Sequence, residues 1–173
     1  MSFERGVRLG VDVGTVRVGV AFCDPEGILA TPWKTLSRDA KKDSDLRLIV
    51  REAGEREAIR IYVGLPQTLR AGESSSTALA RACAARLAEL LAEAGSPAEV
   101  RLIDERLSTV TAHQQLRAAG LSGRAQRKVV DQVAAVGILQ HAIDSEKSLG
   151  QPVGEPVWRG DSGGTLPGPA EVQ

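Results

Sequence analysis

The sequence predicts an α/β fold in which one mixed β-sheet carries helices on both faces. Two observations support this fold class. The first forty residues contain three short β-branched segments separated by turn residues, a pattern typical of an antiparallel meander. After them, segments with helical and strand periodicity alternate, and strands joined through helices are expected to lie parallel to the first strand. The predicted order is β-β-β-α-β-α-β-α-α, with five strands.

The three strands of the meander are predicted from their β-branched residues and from the turns that bound them. They comprise Val7–Val13, Val18–Asp24 and Ile28–Leu36. Gly14 and Thr15 connect the first two strands, and a turn at residues 25–27 precedes the third. Such short connections favour antiparallel neighbours.

The remaining elements are predicted from changes in hydrophobic period and from capping residues. In chain order, they are a helix over Asp45–Ala53, a strand over Ile59–Leu65, a helix over Ser74–Ala94, a strand over Glu99–Glu105, a helix from Ser108 or Thr109 to Ala119, and a helix from about Val129 to Asp144.

The length and composition indicate one domain followed by a tail. A chain of 173 residues is long enough to bury a core without disulfides or structural metals. Beyond Leu149 the sequence contains four prolines, several glycines and little apolar periodicity. We therefore predict a domain over residues 1–149 and a flexible tail over residues 150–173.

Other features of the composition indicate a cytoplasmic protein without a membrane partner. The first ten residues lack the apolar run of a signal peptide, and no uncharged stretch approaches the length of a membrane span. Cys23 and Cys83 are not spaced as a metal knuckle or a redox pair, so both are expected to be buried free thiols.

The charges are balanced overall but segregated locally. The chain has 22 basic and 22 acidic residues, yet no acidic residue occurs between Glu105 and Asp131. That interval contains Arg106, Arg117, Arg124, Arg127 and Lys128. The pattern favours a surface that contacts phosphate groups, and the alternative is a solvated helix face beside a basic loop.

Acidic residues occur where parallel strands of such a sheet would end. Asp12 lies near the end of the first strand, Asp104 and Glu105 close the last strand, and Asp131 falls in the first turn of the predicted last helix. Ligands of α/β sheets gather at these strand ends. Converging carboxylates repel one another unless cations are bound, and their oxygen atoms suit Mg²⁺ or Mn²⁺. Two such ions would support phosphodiester hydrolysis.

Simpler explanations exist for some of these acids. Asp131 would stabilise a helix amino terminus, and Asp104 or Glu105 would pair with a neighbouring arginine. Asp12 is harder to explain in this way, because its strand offers few partners and burial of an unpaired charge is costly. Strand alternation in the sequence does not decide between Asp104 and Glu105.

Four motifs resemble the YqgF (RuvX) family of ribonuclease H-like proteins. They occur in the family's order and are GVDVGTVRVGVA, YVGLP, LIDERLST and VVDQVAAVGILQ. The resemblance implies a ribonuclease H-like fold and a cytoplasmic nuclease that matures the 5′ end of pre-16S rRNA. It also implies an alternative role as a Holliday junction resolvase, by similarity to RuvC.

The resemblance also implies functional residues. The family's metal-binding acids match Asp12, Glu105 and Asp131, and its first-hairpin motif matches Thr15 and Arg17. Thr15 and Arg17 are expected to contact nucleic acid, together with four basic residues: Arg106, Arg124, Arg127 and Lys128. Where the family often continues GLP with Asn and Asp-Gly, this chain has QTLRAG, so an acid in that loop is not expected to act here and Arg70 is a possible substitute.

Two competing functions fit part of the pattern. Asp-x-Gly-Thr on a first hairpin is also the phosphate loop of actin-like and Hsp70-like ATPases, but this chain is too short for their duplicated domain. A non-catalytic RNA-binding factor in ribosome assembly would keep the fold.

His113 and Trp33 are interpreted as surface or packing residues. Oxygen ligands and cations serve RNA and junction DNA equally well, and the sequence leaves the oligomeric state open.

Overall fold

The computed structural model describes residues 3–66, 75–104 and 123–157, of which residues 123–131 are described by their backbone alone. The strands are β1 (Arg8–Val13), β2 (Arg17–Cys23), β3 (Ala30–Ser37), β4 (Arg60–Leu65), β5 (Glu99–Asp104) and β6 (Glu155–Val157). The helices are α1 (Ser44–Glu55), α2 (Ser75–Glu93) and α3 (Gly123–Leu149). The helix predicted to end at Ala119 lies outside the described residues.

One mixed sheet contains all of these strands in the order β3-β2-β1-β4-β5-β6. β1, β2 and β3 form the predicted antiparallel meander, and β4 and β5 extend it parallel to β1. The carboxyl ends of β1, β4 and β5 therefore lie at one edge of the sheet, which we call the carboxyl edge. The predicted fold class is confirmed.

The number of strands differs from the prediction. β6 pairs antiparallel with β5 and adds a sixth strand within a segment that the sequence assigns to a flexible tail. Arg101 of β5 donates hydrogen bonds to the carbonyl oxygens of Val153 (2.5 Å) and Gly154 (3.0 Å), which hold the segment against the sheet. A strand of three residues that contains Pro156 is too short to show a hydrophobic period in the sequence. Its stability comes from its pairing with β5. Residues 158–173 lie outside the described residues.

The core has two layers, one on each face of the sheet. On β1, Leu9, Val11 and Val13 pack beneath α1 and α2. Gly10 faces α3, and a Cβ atom there would lie 2.7 Å from both the carbonyl oxygen of Ala135 and the Cβ of Leu139. The missing side chain thus lets α3 rest directly on the backbone of β1.

The last helix begins earlier than predicted. The apolar period starts only at Val129, but α3 already begins at Gly123, and the intervening Arg, Ala, Gln and Lys residues are good helix formers. Asp131 consequently lies more than two turns inside the helix. The prediction that it occupies the first turn is wrong, and stabilisation of a helix amino terminus no longer accounts for an acid at this position.

A buried ion cluster fixes the far end of α3. Arg8 of β1 and Arg60 of β4 are 0% and 4% exposed, and both bind Glu146 of α3, which is 3% exposed. The Arg8 Nε to Glu146 Oε2 distance is 2.7 Å, and the Arg60 Nη1 to Glu146 Oε1 distance is 2.5 Å. This cluster and Gly10 together set the position of α3 along β1.

Candidate functional site

Asp12 lies at the carboxyl edge, on the face of the sheet that α3 covers. It is the next-to-last residue of β1, is partly buried, and alternates with Val11 and Val13 of the opposite layer. Across the ladder it faces Gly19 of β2.

The backbone of α3 carries position 131 toward the same edge. Arg8 contacts Glu146 and Gly10 faces Ala135, so α3 runs opposite to β1. From Gly10 to Asp12 the strand advances about 6.6 Å. From Ala135 to Asp131 the helix advances about 6 Å in the same direction. The two positions therefore move together toward the carboxyl edge.

The helical stripe of position 131 is a buried one. It continues through residues that are at most 2% exposed: Ala135, Ile138 and Ala142. All three belong to the layer of the core beneath α3. The side chain of Asp131 itself lies outside the described part of the helix.

The faces of the sheet separate Asp104 from Asp12. In β5, Val100 and Leu102 belong to the layer beneath α1 and α2, whereas Ile103 belongs to the layer beneath α3. Asp104 follows Leu102 in the strand alternation and is exposed. It thus lies on the face opposite to Asp12, which argues against a shared metal site. Glu105 lies outside the described residues.

The turn between β1 and β2 positions Thr15 and Arg17 beside Asp12. The amide of Gly14 donates a hydrogen bond of 2.9 Å to the carbonyl oxygen of Arg17, which closes the turn. A Cβ atom on Gly14 would lie only 2.8 Å from that oxygen, so the tight turn requires glycine. Thr15 is exposed and Arg17 is partly buried, on the Asp12 side of β2.

The basic interval is helical where the structure describes it. Arg124, Arg127 and Lys128 lie in the first two turns of α3, whereas the sequence predicts a helix only from about Val129. Their side chains are outside the described part of the chain. The same holds for the whole of Arg106, and for Arg70 and His113, whose predicted contacts stay predictions.

The remaining singled-out residues have structural roles. Trp33 is partly buried and packs against the layer beneath α1 and α2. Cys23 and Cys83 are buried free thiols, as predicted. Burial raises the pKa of both thiols, which disfavours the reactive thiolate.

The predicted metal ligands suit a hard cation in chemical type. Two aspartates and a glutamate supply only oxygen atoms, which Mg²⁺ and Mn²⁺ prefer. Within residues 3–66, 75–104 and 132–157, the side chains form no group of three potential ligands. Asp12 is therefore the one predicted ligand whose side-chain surroundings the structure describes.

A cavity of about 1000 Å³ lies elsewhere, between the carboxyl-terminal ends of α1 and α2. Val50, Leu90 and Pro97 contribute to its lining. Pro97 precedes β5, so the cavity opens at the edge of the sheet opposite to the carboxyl edge. It is separate from the predicted catalytic acids.

Comparisons with known proteins agree with this fold. The family model described as "RuvX: Holliday junction resolvase" matches residues 6–145. A protein of Mycobacteroides abscessus is 50% identical over 146 residues, which cover 84% of this chain and 86% of that protein. A protein of Streptomyces coelicolor is 49% identical over 156 residues, which cover 89% of each. Both relatives are named "Putative pre-16S rRNA nuclease".

A solved structure supports the fold independently of sequence similarity. Thermus thermophilus RuvC in complex with a Holliday junction substrate is 16% identical, with a TM-score of 0.51, over 87% of this chain and 99% of that chain. No helix within the described ranges is long and apolar enough to cross a membrane. The match of the family model and the high identity to the two relatives show that the chain belongs to the RuvX family, with a RuvC-like, ribonuclease H-like fold.

Proposed function

We propose that this protein is a metal-dependent nuclease of the cytoplasm that hydrolyses phosphodiester bonds and matures the 5′ end of pre-16S rRNA. One observation carries the proposal. Asp12 lies at the carboxyl edge on the face covered by α3, and the backbone of α3 brings position 131 toward the same edge. The proposed substrate follows from the names of relatives that are about half identical to this chain.

The proposed metal ligands are Asp12, Glu105 and Asp131. Glu105 is preferred over its neighbour because Asp104 lies on the opposite face of the sheet from Asp12. Two bound Mg²⁺ or Mn²⁺ ions would supply activation of a water molecule and neutralisation of the charge that develops on the leaving oxygen. The role of the carboxylates is to hold these cations at the edge of the sheet where the backbone of the substrate arrives.

The proposed substrate-binding residues surround that edge. Thr15 and Arg17 lie in and after the turn that follows Asp12, where a hydroxyl and a guanidinium group can bind phosphate oxygens. Arg124, Arg127 and Lys128 lie in the turns of α3 that precede position 131, and Arg106 directly follows Glu105. Since the net charge of the chain is zero, attraction to nucleic acid depends on such local clusters.

The decisive experiment compares Asp12→Asn with Asp104→Asn. Both variants remove one carboxylate near the carboxyl edge, but only Asp12 lies on the face of α3. The purified proteins would be incubated with Mg²⁺ or Mn²⁺ and a pre-16S rRNA fragment. We expect Asp12→Asn to lose at least a hundredfold in cleavage rate and Asp104→Asn to stay within about threefold of the wild type, because metal-supported activation of water is lost in the first alone.

Two outcomes would contradict the proposal. Equal cleavage by the wild type and Asp12→Asn would show that the activity does not depend on this carboxylate. Binding of the RNA without cleavage by any form of the protein, in either metal, would instead indicate a non-catalytic factor in ribosome assembly.

Holliday junction resolution is the second candidate. The family whose model matches this chain is described as a Holliday junction resolvase, which favours it. The same proteins would be incubated with a four-way DNA junction, and selective cleavage of the junction would support a resolvase. Symmetric cleavage requires two active sites, so sedimentation analysis should then detect a homodimer.

A further inference from the structure

We propose that the loop between β3 and α1, residues Arg38–Asp43, is a second phosphate-binding element in which Lys41 and Lys42 contact the backbone of the bound RNA outside the cleavage site. This inference rests on the proposed nuclease function. It adds a binding surface that neither the motifs nor the basic interval of the sequence includes.

The loop lies at the same edge of the sheet as Asp12. β3 ends at Ser37, which pairs with Arg17 at the start of β2, and the amide of Arg38 donates a hydrogen bond of 2.8 Å to the carbonyl oxygen of Val16. The strand pairs place Asp12, Gly19 and Thr35 in one row across the sheet. With two interstrand spacings across and a few residues along β3, the loop lies on the order of 15 Å from Asp12. That separation corresponds to a few nucleotides of a bound strand.

The conformation of the loop is set by Asp39. Its Oδ1 atom accepts hydrogen bonds from the amides of Lys41 (3.3 Å) and Lys42 (3.1 Å). Its Oδ2 atom accepts a hydrogen bond of 2.6 Å from the hydroxyl of Ser44. The bonds from Ser44 and from the loop amides lower the pKa of Asp39, so the carboxylate is charged near neutral pH. The two lysines therefore project from an ordered backbone, which reduces the entropic cost of binding.

The other acids of the loop region have cationic partners. Asp43 lies between Arg38 Nη2 at 2.9 Å and Arg86 Nε at 3.0 Å. Asp45 Oδ1 lies 2.7 Å from Arg38 Nη1. The charges of both carboxylates are therefore compensated by arginines.

Lys41 and Lys42 are exposed, and neither forms an ion pair with another described residue. The other two lysines whose side chains are described differ in this respect. The Nζ atom of Lys34 lies 5.1 Å from the centre of the Trp33 ring, and that of Lys147 donates a hydrogen bond of 2.6 Å to the carbonyl oxygen of Gly27. Two exposed ammonium groups on an ordered loop are suited to phosphate oxygens rather than to base edges. The contact should therefore be independent of sequence.

The test measures binding of a pre-16S rRNA fragment over a range of salt concentrations, without added divalent metal. For Lys41→Ala/Lys42→Ala we expect about a tenfold rise in Kd at low salt. The logarithm of the association constant decreases with the logarithm of the salt concentration. This dependence should become shallower by about 1.4 in slope, or about 0.7 for each lost contact to a single strand. Lys41→Arg/Lys42→Arg keeps both charges and should stay within about twofold of the wild type.

The matched control is Arg5→Ala/Arg51→Ala. It removes the same charge from side chains that are 73% and 75% exposed, but Arg5 precedes β1 at the far edge and Arg51 lies in the second half of α1. We expect this variant to retain the affinity and salt slope of the wild type. Thermal unfolding would verify that all variants are folded.

The outcomes separate this inference from the proposed function. If the wild type binds and cleaves the RNA but the lysine variant matches the arginine control, the loop is not a phosphate-binding element and the nuclease function stands. If the wild type neither binds nor cleaves the RNA, the proposed function and this inference both fail. A loss of affinity in Lys41→Arg/Lys42→Arg as large as in the alanine variant would also overturn the inference, since charge would not be the cause.

Discussion

Replacement of Glu146 by glutamine should be among the most destabilising single changes in this chain. The side chain is 3% exposed and holds two arginines, Arg8 and Arg60, that are themselves 0% and 4% exposed. Glutamine keeps the shape but removes the negative charge, which leaves two buried guanidinium groups facing an uncharged amide. Removal of one partner from a buried ion pair typically costs about 3 to 5 kcal/mol.

The surrounding contacts determine where in that range the cost falls. Arg60 keeps Glu4 at 3.1 Å and Glu99 at 3.3 Å, both of them partly exposed carboxylates. Among the described residues, the Arg8 guanidinium group keeps hydrogen bonds only to the backbone carbonyl oxygens of Gly6 (2.5 Å) and Glu4 (2.6 Å). Because one arginine stays largely compensated, we expect a loss near the lower end, about 3 kcal/mol. This would be a large share of the roughly 5 to 15 kcal/mol by which a domain is stable.

Urea denaturation of the wild type and of Glu146→Gln would measure this loss as a change in the free energy of unfolding. Glu55→Gln is the matched control, because its ion pair with Arg51 joins side chains that are 59% and 75% exposed, and such pairs contribute about 0 to 1 kcal/mol. A loss below about 1 kcal/mol for Glu146→Gln would refute the reasoning. The paired change Arg8→Met/Glu146→Leu should be less destabilising than the two single effects combined, since no unpaired charge stays at position 8 and Arg60 keeps Glu4 and Glu99.

The remaining predictions concern the contact of α3 with Gly10 of β1 and an acid-sensitive ion pair. Gly10→Ala should lower stability by about 1 to 3 kcal/mol and reduce cleavage, because its Cβ would lie 2.7 Å from the carbonyl oxygen of Ala135. A Cβ atom at Gly54 would meet no neighbouring atom within 4 Å, so Gly54→Ala should be neutral or stabilising in the same thermal and cleavage assays. The hydrogen bond from Arg38 lowers the pKa of Asp43, so its contribution to stability is present above the pKa of the unfolded state and is lost as pH falls through the folded value. Unfolding measured between pH 7 and pH 3 should therefore show a smaller acid-induced loss for Asp43→Asn than for the wild type; an unchanged loss would contradict this assignment.

Local patterns in the sequence determine most of the elements. The β-branched runs specify β1 and β2, and the Ala/Leu period specifies α2, because these signals depend only on residues within each segment. Asp12 is recognisable in the same way, as an acid within a strand of Val and Gly. In the sequence, the choice of Glu105 over Asp104 rests on the resemblance alone, and the side chains of Glu105 and Asp131 lie outside the described residues.

Tertiary structure determines the features that depend on contact between two segments distant in the chain. β6 exists because β5 offers an edge and Arg101 binds the incoming carbonyl groups. The face of Asp104 relative to Asp12 follows from the pairing of β5 with β4 and of β4 with β1, which alternation within one strand cannot reveal.

The same distinction applies to the charges. Arg8 reads in sequence as an ordinary residue at a strand end, and its burial with Glu146, 138 residues away, follows only from the packing of α3 across β1. Lys41 and Lys42 are part of a mixed run of acids and bases until the structure shows Asp39 bound to the loop amides and Asp43 bound to two arginines. Periodicity therefore determines which segments are strands and helices, whereas the partner of each charge depends on contacts between segments that are far apart in the chain.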